Sequence, residues 1–240
     1  MQHVSIENLF LLDIETVCQA EDFKLLNEEW QGLWTEKTLK SLPAETSAEE
    51  HYTRRAAIFA EFAKVICIST GYFRKEGNEW QLRIKSFYSE NENEVLESFA
   101  KMLSQVYTKN SKWIFTGHNI KEFDIPFLCR RMIVNNIEIP FSIDFQNMRP
   151  WETPALDTLH LWRFGDYKHY ISLKLLAATL NVPSPKEDID GSKVGEVFWK
   201  EKNLPRIVNY CQKDVATVGN IILRFKNLPL LKDEQVIVVE

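Results

Sequence analysis

The stretch NLFLLDIET, Asn8 to Thr16, decides the fold. Its apolar run breaks on Asp13, as a buried central strand does where it reaches a ligand site. Asp13 and Glu15 stand two residues apart, so on a strand both point to one side, about 6–7 Å apart along the backbone. An Asp-x-Glu triplet on a polar strand face is common. This one is set at the end of the first apolar strand, and ligands of open α/β sheets gather at the carboxyl ends of strands.

Working outward, residues 21–63 read as helical. FKLLNEEWQGLW and EEHYTRRAAIFAEFA both repeat apolar residues at three and four, and the polar SLPAETS joins them. KVICISTGYF and WQLRIKSFYS are strands rich in β-branched and aromatic residues, and the glycine-containing RKEGNE between them predicts a hairpin. ENEVLESFAKMLSQVYT is an amphipathic helix, KWIFTGHN a buried strand, and FDIPFLCRRMIVNN a helix with Pro126 in its first turn. ALDTLHLW gives a last short strand or a bridging segment. SLKLLAATLNV is a helix capped by Ser172, PSPKEDIDGSKV a loop, and PRIVNYCQKDVATVGNIILRF a long helix starting near Pro205. No role can be read for the tail, residues 227–240. A strand meander followed by alternating helix and strand predicts an α/β fold, a mixed sheet with helices on both faces.

The 240 residues are enough for one large domain, and the whole chain, 1–240, is expected to be a single unit carrying the 21–63 helical insertion. The formal net charge is −5, which argues against a general nucleic-acid coat protein but not against an enzyme that meets nucleic acid locally. No apolar run reaches membrane-spanning length, and the N-terminus lacks the basic start and small-residue cleavage site of a signal peptide. Cys18, Cys67, Cys129 and Cys211 form no CxxC pair and read as buried free thiols of a reducing compartment. The expectation is a cytoplasmic protein without membrane contact.

Two more acids complete a pattern. In HNIKEFD, Asp124 opens the helix that follows a strand, a position where the helix dipole favours a carboxylate. In NYCQKDV, Tyr210 and Asp214 are four apart on the late helix and therefore lie one above the other. DIET, NIKEFD and YCQKD, in that order and on those elements, resemble the three exonuclease motifs of the DEDD superfamily. The wording is most similar to the proofreading 3′–5′ exonuclease domain of B-family DNA polymerases. Asn209 stands where one subclass carries histidine, whereas Tyr210 matches the tyrosine subclass (DEDDy).

The resemblance implies an RNase H-like fold and a phosphodiesterase dependent on two divalent cations, Mg²⁺ or Mn²⁺. Hard cations take oxygen ligands, and a pair of them can stabilise the attacking and leaving oxygens of an in-line displacement. By the resemblance Asp13 bridges both ions, Glu15 and Asp214 share one, and Asp124 holds the other. With carboxylate reference pKa values near ~4, all four acids are expected to be ionised at neutral pH. A phenol near ~10 is too weak a base at that pH, so Tyr210 is expected to orient the attacking water. Family analogy adds Ile14, Thr16, Asn119 and Phe123 as contacts to the terminal nucleotide, with plain core packing an equal reading of Ile14 and Phe123.

The implied activity is release of nucleoside 5′-monophosphates from DNA 3′ ends, single-stranded or frayed. A 3′–5′ exoribonuclease of the same superfamily and a catalytically silent nucleic-acid-binding module remain alternatives. A polymerase does not fit in 240 residues, so the expectation is a stand-alone enzyme of repair or end trimming, its protein partners unknown. WRFGDYKHYISLK interleaves cations with aromatics and reads either as a lip that binds a strand or as an ordinary exposed loop. Residues 21–63 read either as a lid over the substrate channel or as a cover for the sheet. His118 and His169 lack partners at zinc-ligand spacing. Asp157, Asp188 and Asp190 read as turn or capping residues.

Overall fold

Alternation along Leu9–Cys18 (β1) sorts its side chains onto two faces. Phe10, Leu12 and Ile14 enter one apolar cluster, Leu9 and Leu11 another. Asp13 and Glu15 fall on the second face. The computed structural model describes residues 3–39, 46–109, 112–149, 152–183 and 189–239. β1 is central in a six-stranded mixed sheet of order β5-β4-β1-β2-β3-β6. β2 (Ala63–Glu76) and β3 (Glu79–Tyr88) continue it as an antiparallel meander, turning at Gly77 with φ +60°. β4 (Ile114–Gly117) and β5 (Ala155–Asp157) extend the sheet in parallel beyond β1. This is the RNase H-like α/β sheet expected from the sequence.

The helices cover both faces. α3 (Glu92–Lys109) and α4 (Asp124–Val134) pack on the Phe10 face, where Phe99, Phe115, Phe127 and Leu128 are buried. Glu92 and Arg131 lock those two helices together with a bidentate ion pair at 2.9 and 2.6 Å, and Glu92 also accepts the Val65 N–H of β2 at 2.7 Å. The other face takes α8 (Leu204–Phe225), whose stripe Cys211, Val215, Val218 and Ile222 lies on the sheet. α8 opens with Asn203, which caps the Arg206 N–H, and Pro205 in its first turn. α5 (Thr158–Arg163), α6 (Leu173–Thr179) and α7 (Val194–Trp199) surround that helix.

Four expectations change. β1 does not end at the Asp-x-Glu triplet: it runs on to Cys18, because Thr16, Val17 and Cys18 pair with β2 past a bulge that sets Glu15 opposite Cys67 and Thr16 opposite Val65. Among the described residues of 21–63, helix is confined to α1 (Glu28–Thr38), α2 (Ala48–Arg55) and two 3-10 turns, and Ala63 is taken into β2 by its pairing with Cys18. α7 stands in a stretch with no assigned element. The tail supplies β6 (Val236–Val238), a parallel edge strand beside β3. Joint residues 40–45 and Asp188 lie outside the described residues. Among the described residues, no helix is long and apolar enough to cross a membrane.

The insertion has its own small core, in which Trp34 meets Tyr52 and Phe62 edge-on with centroids 5.3 and 5.1 Å apart. Its tie to the sheet includes the Thr16 hydroxyl, which donates to the Ala57 carbonyl at 2.7 Å.

α8 comes close to the sheet because two glycines leave it room. A Cβ on Gly71 of β2 would stand 2.7 Å from Val215 Cγ1, and one on Gly219 would stand 3.2 Å from Leu82 Cδ2. Valine is stiff about χ1 and cannot swing aside. Gly71→Ala is therefore expected to cost on the order of 1–3 kcal/mol by overpacking. Combined with Val215→Ala, the loss in urea denaturation should be smaller than the sum of the single losses. Additive losses would show that the two positions do not meet.

Candidate active site

Three elements bring the acids together. β1 presents Asp13 and Glu15 on the face covered by α8, and α8 lays Tyr210, Cys211 and Asp214 over them. Glu15 and Asp124 are buried, and Asp13 is half-buried. α4 packs on the opposite face, so Asp124 reaches the group around an edge of β1. Pairing of β4 with β1 stops at Leu11 opposite Thr116. Beyond that point the backbone N–H of Ile14 is turned to the Asp124 carboxylate, which also receives its own backbone N–H.

The acids perturb one another. Burial pushes the Asp13 carboxyl well above the usual carboxylate range, and the charges of Asp214 and Asp124 push it further. Glu15 is raised in the same way, by burial first and then by Asp13 and Asp214. Asp124 rises to about 7, chiefly through burial, with Asp157 and Asp214 adding repulsion against the two N–H groups that favour its charge. The expectation of fully ionised acids at neutral pH therefore fails for the cluster without a cation. Reference values describe solvated groups, and these have lost their water.

The cavity over the cluster has a volume of about 380 Å³ and is walled by Asp13, Tyr210 and Asp214 on one side and by His118, Tyr170 and Lys174 on another. His118 is fixed in its wall by two hydrogen bonds. Its Nε2 donates to the Ile171 carbonyl at 2.8 Å, which leaves Nδ1 to accept from the Thr158 hydroxyl at 2.9 Å. Burial lowers its pKa, so the ring is neutral. Below the cavity the Cys211 thiol donates to Asp13 Oδ2 at 3.3 Å, and burial holds that thiol protonated well above its ordinary range. Donor atoms of Asp13, Glu15 and Cys211 all lie within 4.8 Å of one another.

Ile14, Thr16, Asn119 and Phe123 do not line this cavity. Ile14 is buried in the core beneath α3 and α4. The Thr16 hydroxyl is engaged with Ala57. Phe123 packs on Phe127, with centroids 5.3 Å apart. Asn119 has φ +64°, and its backbone N–H donates to Asp157 Oδ1 at 2.9 Å. Asp157 is a capping residue as expected: it also caps α5 through Leu159 and receives the Lys121 N–H at 3.2 Å, so it fixes the turn leading to Asp124. Asp190 caps the turn at Ser192. None of the described residues of 21–62 walls the cavity. His118 and Cys211 gained no role from the sequence because their partners, Ile171 and Asp13, are remote in the chain. The one available signal was position: His118 directly follows β4, and Cys211 sits inside the Tyr210–Asp214 turn.

The family described as a predicted 3′–5′ exonuclease related to the exonuclease domain of PolB matches residues 58–233. Asp124, Tyr210 and Asp214 are inside the match, whereas Asp13 and Glu15 precede it. Among solved structures, the family B DNA polymerase of the hyperthermophilic archaeon Pyrobaculum calidifontis shares the fold, with a TM-score of 0.55 and 16% identity over 90% of this chain. The chain spans 24% of that polymerase's length. No curated protein matches the chain.

The folded chain holds the Asp124 proton to a higher pH than the unfolded chain does. This group therefore favours folding below the ordinary carboxylate range, and that contribution is lost as pH rises through about 7. Relative to the native chain in chelator, Asp124→Asn is expected to gain stability steadily between pH 4 and about 7. A flat difference between their melting curves would mean that Asp124 ionises freely. At neutral pH, Mn²⁺ should raise the melting temperature of the native chain but not of Asp13→Ala, because a ligand bound only by the folded state stabilises it.

Proposed function

Because the chain belongs to the family of predicted 3′–5′ exonucleases related to the exonuclease domain of PolB, we propose that it hydrolyses DNA from the 3′ end, on single-stranded or frayed termini, releasing nucleoside 5′-monophosphates. The chain acts as one exonuclease domain. The observation that supports the mechanism is that Asp13 and Asp214 wall one cavity beside Tyr210, while Glu15 and Asp124, buried nearby, interact electrostatically with them.

Buried carboxylates that raise one another's pKa are an oxygen-rich donor set suited to hard divalent cations, Mg²⁺ or Mn²⁺, with Asp13, Glu15, Asp124 and Asp214 as the holders. Two such ions, when bound, stabilise the charge that develops on the attacking and leaving oxygens. The rest of the work belongs to the chain. Tyr210, one helical turn before Asp214, places its hydroxyl at the cavity wall to orient the attacking water. The water oxygen bonds to phosphorus as the P–O3′ bond breaks. The 3′ oxygen takes up a proton and stays on the shortened strand, while the terminal nucleotide leaves with its 5′ phosphate. Asp13 is steadied by the Cys211 thiol, and Asp124 by the Ile14 N–H.

The test uses one 5′-labelled sequence as single-stranded DNA, duplex DNA and RNA, with Mg²⁺ or Mn²⁺. The native chain should give a ladder shortening from the 3′ end, fastest on single-stranded DNA, and Asp13→Ala should give none. Intact oligonucleotides under every condition, with folded protein, would sink the proposal. Faster loss of RNA would reassign the substrate.

In single-turnover kinetics, Asp214→Ala should lose on the order of a hundredfold or more, as when a transition-state stabiliser is removed. Tyr210→Phe should bind Mn²⁺ normally yet hydrolyse more slowly. Unchanged turnover in Tyr210→Phe would remove the water-orienting role from the phenol.

A further inference from the structure

Three large aromatic side chains stand open to water within seven residues: Phe164 at 91% exposure, Tyr167 at 80% and Tyr170 at 68%. Among the described residues Phe141 and Tyr88 are also exposed, but each stands alone, whereas rings such as Trp34, Tyr52, Phe99 and Phe115 are buried. The loop that carries the exposed rings has a fixed form. Arg163 Nε donates to the His169 carbonyl at 2.8 Å and closes it, and the Asp166 N–H donates to the Arg163 carbonyl at 2.8 Å. Outside the loop, Arg163 pairs with Glu122 at 3.1 Å, and His118 holds the Ile171 carbonyl. Phe164 has φ +47° and ψ +35°, a left-handed backbone that bulky residues seldom adopt. Arg163, the Asp166 N–H and the His169 carbonyl are thus engaged in holding the loop, while the rings face water.

This loop is continuous with the active site, since Tyr170, Ser172 and Lys174 wall the same cavity as Asp13, Tyr210 and Asp214. A nucleic-acid strand approaching that cavity meets an acidic chain of net charge −5 and a cluster of carboxylates. A grip on the bases would not depend on that charge balance, because every base has a face to stack on an aromatic ring, whatever the sequence.

We propose that Phe164, Tyr167 and Tyr170 form a base-stacking platform that grips the unpaired nucleotides behind the scissile 3′ end, with Lys168 and Lys174 beside their phosphates. The inference rests on the nuclease reading of the cavity and adds what that reading lacks, a determinant of single-strand preference. Paired bases have no free faces to stack, so a duplex must fray before it is held.

The experiment compares a 5′-fluorescein DNA twelve-mer with an abasic strand of the same phosphate count, by fluorescence anisotropy, on Asp13→Ala protein so that the strand stays intact. Adding Phe164→Ala and Tyr167→Ala should weaken binding of the base-bearing strand roughly tenfold or more and leave the abasic strand unchanged. Tyr167→Trp should keep the affinity. Salt dependence should be shallow. Both side chains are solvent-exposed, so an unchanged melting curve is expected and verifies folding. Equal affinity of the double variant and its parent for base-bearing DNA, equal losses on both strands, or no binding by the parent would each overturn the platform. A double variant that turns from dimer to monomer in sedimentation, with DNA binding unchanged, would assign the rings to a second copy of the chain and overturn it too. The nuclease reading is tested apart from all of these, by the ladder that the native chain gives and Asp13→Ala does not.

Discussion

The distance between α8 and the sheet is the constraint on which the site depends. One flank of that helix carries Tyr210 and Asp214, while its buried stripe, Cys211 to Ile222, rests on β1 and its neighbours. Val215 follows Asp214 directly, and Val215 Cγ1 is the atom that fills the space above Gly71. Packing of an apolar pair thus sets where a carboxylate stands. Interiors are close-packed and pass strain on to their neighbours, so a side chain at Gly71 or Gly219 moves the acid along with the helix. A shift of even ~1 Å in groups that must align for reaction is costly.

The scaffold must also hold together acids that repel one another. Repulsion and lost hydration both act against the folded state, and both are visible in the raised pKa values of Asp13, Glu15 and Asp124. Two apolar clusters, one on each face of β1, oppose them. The position of Asp124 depends in particular on the Glu92–Arg131 pair, which ties α4 to α3 and, through Val65 and the Ala60 carbonyl, to the start of β2. Every strong polar group of that pair is satisfied, a condition for burying charge without a large penalty. Asp157 does the same for the turn before α4, by taking the N–H groups of Asn119 and Lys121.

The features written in local pattern were legible in the sequence. β1, the β2–β3 hairpin, α3, α4 and α8 follow from apolar periodicity, and Ser172 and Pro205 mark helix starts. The five motif residues stood out because each occupies a recognisable place on its element. What escaped depends on partners remote in the chain. β6 is three residues long and pairs in parallel with a strand about 150 residues earlier, so nothing near Val236 announces it. The end of β1 was misplaced because the bulge after Glu15 continues the ladder where the acids seemed to close it. Thr16 gave no sign that Ala57 would occupy its hydroxyl, nor Ile14 that its backbone, rather than its side chain, meets the site.

The groups that steady the acids share a property. Cys211 donates a thiol hydrogen to Asp13, and the Ile14 backbone N–H favours the charged form of Asp124. Each orients its partner without bringing a full positive charge into the cluster. A lysine or arginine at the position of Cys211 would neutralise Asp13, stabilise the folded chain and compete with any divalent cation for the same oxygens. Uncharged donors leave the carboxylates short of positive charge, at a cost to the stability of the metal-free chain. That unmet demand is the physical basis for expecting cations to bind here and to stabilise the fold when they do.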